Sequence, residues 1–288
     1  MPTLLDFRRR IRSVRSTQQV TRAMKFVSAA RLRRAQERAI EARPYSAEIT
    51  KLVRSAAARM EEPQHPLLKR RPEQRVLLLL ATGDRGLAGA FNANAVRRAV
   101  EFLRSRPADE KTEVIPIGRK GRDAARRLKW TIAGEYVGFT ARADFARAKE
   151  IADRVIELYT KAEIDAVYML FNEFKSVITQ KMVFEKLLPI EPAEQPKDAA
   201  ATQVDYIYAQ PQEQLLEGLL PRYVSARIYR MLADSSAAEH AARMTAMDSA
   251  TNNAGELIDS LTLEMNKIRQ AAITKEIIEV VSGAAAAE

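Results

Sequence analysis

The sequence predicts an α/β domain inserted between two long helices, one near each end of the chain, that pair as an antiparallel coiled coil. Three observations predict this. Helix breakers are scarce near both ends, apolar residues recur there at three-four spacing, and strand-like and helix-like segments alternate in between. Gly 10, Pro 12 and 6% aromatics are low for 288 residues, which favours long uninterrupted helices over an all-β fold.

The first helix is predicted from Leu4 to Met60, a stretch without glycine in which Pro44 is the one proline and marks a bend near Arg43. Leu4, Phe7, Ile11 and Val14 open an apolar stripe. Gln18, Thr21, Lys25 and Ser28 interrupt it, and Leu32, Ala35, Ala39, Ala42, Ile49, Val53, Ala56 and Met60 resume it. Val20, Met24 and Val27 form a second row beside the interruption, so this part of the helix is expected to face something other than its mate. Residues 61–73 read as a linker around Pro63, Pro66 and Pro72.

Residues 74–82, 112–117, 130–137, 165–171 and 177–188 read as strands, with amphipathic helices at 94–105, 121–128 and 144–161. Such alternation predicts a mainly parallel, Rossmann-like sheet that gains an antiparallel strand at its end. A surface linker at 191–204 leads into residues 205–209, closing an α/β domain at 74–209. The second long helix is predicted over 210–282, with a short tail at 283–288. Its middle is lined by Ala233, Ala237, Ala238, Ala241, Ala242, Ala246, Ala250 and Ala254, small enough for a neighbouring helix to approach closely.

Composition closes several routes to function. With no cysteine there is no disulfide scaffold, thiol catalysis, cysteine-ligated metal or iron–sulfur cluster. His65 and His240 lie apart, without a second ligand at metal spacing, and read as structural or solvent-facing; no metal or cofactor is expected. The longest strictly apolar run, 76–81, is far short of the roughly 20 residues of a membrane-spanning helix. Carboxylates are scattered among bases with no pair set aside for acid–base work, so no catalytic residue is expected.

The net charge of +10 is concentrated: residues 1–43 hold twelve basic side chains against Asp6, Glu37 and Glu41. A block of this kind implies an acidic partner, whether nucleic acid, an anionic surface or a protein face. A DNA-reading basic region usually lacks a hydrophobic seam, whereas these arginines ride on one that begins at Leu4, which favours a protein-facing role. The turn at 82–94 offers Gly83, Gly86 and Gly89 between a buried strand and a helix, a place where phosphates can be cradled. The glycine spacing does not match G-x-G-x-x-G, no G-K-[ST] follows, and a structural turn is the expected reading. A coiled-coil nucleic-acid-binding protein and a Rossmann-like nucleotide enzyme stand as the alternatives.

Taken together, the termini and the glycine turn resemble the gamma-subunit family of F-type ATP synthases, of bacterial type. The resemblance rests on Ile11-Arg12-Ser13-Val14, Thr17-Gln18, Thr21-Arg22-Ala23-Met24, Asp84-Arg85-Gly86-Leu87, Ala241-Ala242-Arg243-Met244 and Ala250-Thr251-Asn252-Asn253-Ala254. It is strongest in Asn266-Lys267-Ile268-Arg269-Gln270-Ala271-Ala272-Ile273-Thr274-Lys275-Glu276 and Val280-Val281-Ser282-Gly283. It implies a non-catalytic rotor shaft standing inside a ring of alpha and beta subunits and resting on an epsilon subunit and a c-ring. It further implies that Arg269, Gln270 and Thr274 meet a catch on the beta subunits, that Val280 and Val281 enter an apolar bearing, and that Met24, Lys25 and nearby arginines face an acidic lever. Tyr206 and Tyr208 would make the foot contacts, with Ala209 in place of the family's common acidic residue. The membrane would be reached through partner subunits alone, on the cytoplasmic face of a bacterial inner membrane, since no transit-like extension precedes the matching region. No nucleic-acid partner and no cofactor are implied.

Overall fold

A computed structural model describes residues 3–58, 65–107, 109–191 and 212–285. Its elements in chain order are α1 (Leu4–Ala58), a 3-10 turn (Pro66–Leu68), β1 (Arg75–Ala81), α2 (Phe91–Arg104), β2 (Lys111–Ile117), α3 (Arg119–Arg127) and β3 (Thr131–Ile132). They continue with α4 (Phe145–Thr160), β4 (Ala166–Phe174), β5 (Gln180–Leu188) and α5 (Gln212–Ala285). Contacts divide the chain into one unit of Met1–Ser28 with Met244–Glu288 and another of Ala29–Arg243.

In the larger unit the strands form one sheet in the order β3-β2-β1-β4-β5. All neighbours run parallel except β4 and β5, so the expected antiparallel addition is present at one edge. β1 lies at the centre, and from Val76 to Ala81 every side chain is buried, as a strand covered by helices on both faces requires. On one face Ala95 and Ala99 of α2 meet Leu78, Leu80, Val114 and Leu170. Ala148, Ile151, Ala152, Val155 and Leu158 give α4 its own buried stripe at helical spacing, and Asp144 caps it by accepting from the Ala146 amide at 3.2 Å. The third strand is shorter than its apolar content suggests. After Ile132 the ladder ends near Gly134, and only an isolated bridge from Ile117 to Tyr136 follows before Gly138 turns the chain at φ 91°.

Within the same unit α1 supplies Leu32, Ala35, Ala39, Ala42, Ser46, Ile49, Val53 and Ala56 to the core, so the seam is real and Pro44 stays inside the helix. From Met231 to Ala241 every residue of α5 is buried. Charged groups on a helix buried on all sides need partners, and α5 meets much of that need with ion pairs, although Ser236 Oγ and His240 Nδ1 are left without a hydrogen-bond partner. Asp234 meets Arg43 at 2.7 Å and Arg230 at 3.5 Å, Arg230 also reaches Glu173 at 3.2 Å, and Arg227 meets Glu185 at 2.6 Å.

In the smaller unit the two helices run antiparallel: Gln18 reaches Thr251, and Lys25, further along α1, reaches Asp248, earlier in α5. Phe7 and Ile11 interlock with Ile258 and Leu261, flanked by Val14, Met265 and Ile268. Residues 205–209, most of the linker before them, residues 61–64 and Met60 lie outside the described residues.

Candidate functional site

The polar gap in the seam is a built layer. The Gln18 amide donates to the Thr251 carbonyl at 3.3 Å, the Thr21 and Thr251 hydroxyls share a hydrogen bond of 2.8 Å, and the Lys25 ammonium meets Asp248 at 2.5 Å. Polar groups inside a helix seam fix register, because sliding one helix would leave them without partners. Lys25 and Asp248 are 36% and 46% exposed, so solvent screens most of their attraction. Lys25→Met is therefore expected to change the unfolding free energy by no more than about 1 kcal/mol in chemical denaturation.

Met24 is half-buried on the flank of this layer, while Val20, Phe26 and Val27 are exposed. The second apolar row thus points away from the partner helix, as its spacing indicates. A cavity of about 350 Å³ opens beside it between Gln18, Gln19, Arg22, Lys25 and Phe26 on one side and Asp248, Thr251 and Asn252 on the other.

Toward its C-terminus α5 outruns its mate. Leu261 is the last buried residue among the described ones, Met265 and Ile268 still touch the Phe7 cluster, and beyond them Ile273, Ile277, Ile278, Val280 and Val281 stand open. Arg269, Gln270 and Thr274 are exposed, with the Thr274 hydroxyl donating to the Gln270 carbonyl at 2.9 Å. Val280 is 72% and Val281 62% exposed, next to exposed Ile273, Ile277 and Ile278. Helical spacing puts Gln270, Thr274, Ile277, Ile278 and Val281 along one side. A single helix with apolar residues in water buries little on its own, so this surface is built to be covered. Tyr206 and Tyr208 lie outside the described residues.

The glycine turn resolves differently from a phosphate cradle. The Asp84 carboxylate accepts from the amides of Gly138 (2.8 Å), Thr140 (3.0 Å) and Arg119 (3.1 Å) and from the Thr140 hydroxyl (3.0 Å). Burial raises the pKa of Asp84, but these donors outweigh it and hold the carboxyl below its ordinary value. The first amides of α3, where an anion would be expected, are thus already taken: Arg119 donates to Asp84, Lys120 to the Gly83 carbonyl and Gly121 to the Thr82 hydroxyl. Gly83 is small because Glu239 of α5 lies against it: an added Cβ would come within 2.7 Å of the Glu239 carboxyl carbon. The histidines are structural. His65 Nδ1 accepts from the Leu67 amide, and buried His240 places Nε2 3.2 Å from the Ala141 carbonyl. Burial lowers the pKa of both. Among the described residues no cluster of three or more potential ligands could hold a metal ion, and no helix is long and apolar enough to cross a membrane.

Sequence reasoning finds the α1 half of the polar layer but does not pair it with Asp248 and Thr251. On α5 they sit in a run of small and polar residues, Ser249, Ala250, Asn252 and Asn253, whose mixed character does not mark a seam position.

The family model described as ATP synthase matches residues 3–287. The ATP synthase gamma chain of Solibacter usitatus is 53% identical, with 100% of both chains covered, and that of Pelotomaculum thermopropionicum is 48% identical with the same coverage. Among solved structures, a chain of the Euglena gracilis mitochondrial ATP synthase rotor is similar with a TM-score of 0.67 at 18% identity, covering 94% of this chain and 98% of that one. A chain of the Tetrahymena thermophila central stalk and c-ring has a TM-score of 0.60 at 23% identity, covering 80% and 99%. At these identities the solved structures speak for the fold, and the bacterial relatives speak for descent. The end-to-end match in sequence, together with an α/β sheet inserted between two helices that pair antiparallel, places this chain in the ATP synthase gamma-chain family.

Proposed function

We propose that this chain is the non-catalytic central shaft of an F-type ATP synthase, coupling proton flow through the membrane sector to ATP synthesis or hydrolysis in beta subunits. The observation that carries the reading is the end of α5, a helix continuing past its partner with polar and apolar residues exposed where a surrounding ring would cover them. Its partners in this reading are the alpha and beta subunits, an epsilon subunit and a c-ring, and it lies peripherally on the cytoplasmic face of a bacterial inner membrane.

The physical logic is differential binding. An asymmetric shaft inside a threefold ring contacts each catalytic site differently and so biases each toward a different nucleotide affinity. Moving a site from 1:99 to 99:1 takes about 5.5 kcal/mol, so turning the shaft must deliver energy on that scale. The interlocked Phe7, Ile11, Ile258 and Leu261 layer supports stiffness, and the polar layer at Thr21, Lys25, Asp248 and Thr251 supports a fixed register. Arg269, Gln270 and Thr274 form the polar catch, Val280 and Val281 the apolar bearing, and Met24, Lys25 and Arg22 the face toward an acidic lever. Apolar contact suits a bearing because it has no preferred direction. Tyr206 and Tyr208 are assigned to the foot.

Reconstituting the catalytic ring with and without this chain tests the reading: ATPase turnover should require the chain for its full rate. Arg269→Ala and Gln270→Ala should each lower turnover about fivefold or more, the scale of one lost hydrogen bond of about 1 kcal/mol. The helicity of the isolated chain should not change. Full turnover in both variants would remove the catch from the reading.

A further inference from the structure

Within the larger unit, one face collects arginines that the rotor reading does not use. A cavity of about 570 Å³ is lined by Arg31, Arg34 and Arg38 of α1, which recur at i, i+3 and i+7 and so share one side of the helix. Opposite them stand Arg85 of the glycine turn, Arg119 at the start of α3 and Arg142 before α4. Arg243 of α5 completes the lining.

The carboxylates of the cavity are already committed. Asp84 is taken by three backbone amides and the Thr140 hydroxyl, with Arg119 a loose 3.9 Å away. Glu239 is paired with Arg243 at 2.5 Å. Arg31, Arg34, Arg38, Arg85 and Arg142 have no ion pair among the described residues. Gathering so many like charges into a concave site costs free energy through mutual repulsion and focuses a positive potential there, which an anion relieves. The volume falls within the roughly 300–1,000 Å³ of small-ligand sites.

We propose that this cavity binds a linear inorganic phosphate chain, such as tripolyphosphate. Guanidinium forks match phosphate oxygens bidentately, and here they converge from five separate stretches of chain, so a compact polyanion would be surrounded. The uncharged lining comes from Ala35, Ala141 and Gly138, with no aromatic or large apolar side chain to hold a nucleobase. Recognition therefore lies in the phosphates. The site is distinct from a helix-terminus cradle: Asp84 fills the amides, and side chains hold the ligand.

The test is calorimetric titration of the full chain with tripolyphosphate, ATP and a poly-glutamate peptide at physiological salt. Tripolyphosphate should bind saturably, one per chain, weakening as salt rises, and ATP should bind no more tightly. Arg34→Ala/Arg142→Ala should weaken tripolyphosphate binding tenfold or more while the Trp130 fluorescence unfolding midpoint stays put. Arg8→Ala/Arg9→Ala, which removes the same charge outside the cavity, should leave binding unchanged. No saturation, an equal loss in both double variants, or ATP binding tenfold tighter than tripolyphosphate would each overturn the proposal. Tighter binding of poly-glutamate would do the same, by pointing to an acidic protein segment.

Discussion

Arg243→Ala should destabilise the α/β unit by about 3–5 kcal/mol, the cost of breaking a buried ion pair from one side. Arg243 and Glu239 have side chains only 8% and 3% exposed, and they meet at 2.5 Å one helical turn apart on α5. The same guanidinium donates to the carbonyls of Gly86 at 3.2 Å and Arg85 at 3.4 Å, so it also ties α5 to the glycine turn. Removing it strands a carboxylate and leaves two carbonyls short of a donor.

The pH dependence carries a definite sign. Burial pushes the Glu239 carboxyl above its ordinary value, and the Arg243 charge pulls the other way. A carboxyl raised on folding contributes stability that is full below its unfolded pKa and is lost as pH rises through its folded pKa. Without Arg243 the folded value climbs further, so the variant's deficit should be larger at pH 8 than at pH 5. Glu239→Gln in the variant background should recover much of the loss, because a neutral amide needs no counter-charge. Denaturant titrations followed by Trp130, which packs against the Leu78 cluster of this unit, read the effect. A deficit that ignores pH and is not rescued would mean that Arg243 acts only through packing.

This pair also shows where the sequence stops being informative. The long helices were legible because their seams repeat: Phe7, Ile11, Leu32, Ala39, Ile49 and Val53 are buried as their spacing demands. The sheet was legible because β1 is a continuous apolar run and the other strands alternate with helices. The third strand is shorter than its sequence suggests because apolar content says nothing about edge position, and Gly134 and Gly138 end the ladder early. The candidate interface residues on α5 came from a resemblance in sequence; the structure adds that they are exposed. What no local pattern announces is pairing across long separations. Glu239 against Gly83, Arg43 against Asp234 and the arginines of the cavity join residues from well-separated stretches of chain. A charged residue in an alanine-rich helix reads as solvated until the fold places another element over it. His240 and Asp234 are both buried in just such a stretch.

Gly118→Ala should cost about 2–6 kcal/mol, combining backbone strain of about 1–3 kcal/mol with overpacking of similar size. Gly118 sits between β2 and α3 at φ 102°, a conformation that side-chain-bearing residues rarely adopt. An added Cβ would lie 2.3 Å from the Thr82 carbonyl oxygen and 2.8 Å from its hydroxyl oxygen. Thr82 cannot move aside cheaply: its hydroxyl donates to the Ile117 carbonyl at 3.0 Å and accepts from the Gly121 amide at 2.8 Å, while the Gly118 amide donates to Tyr136 at 2.7 Å. The substitution therefore presses on the junction of β1, β2 and α3 that also holds Asp84 against the amides of Arg119 and Gly138. Gly134→Ala provides the comparison. Its φ is not in the left-handed region and the nearest atom to its added Cβ is 3.9 Å away, so its effect should stay within about 1 kcal/mol. Equal unfolding midpoints for the two variants would show that the β2–α3 junction yields to accommodate a methyl group and that the Thr82 hydrogen bonds do not pin it.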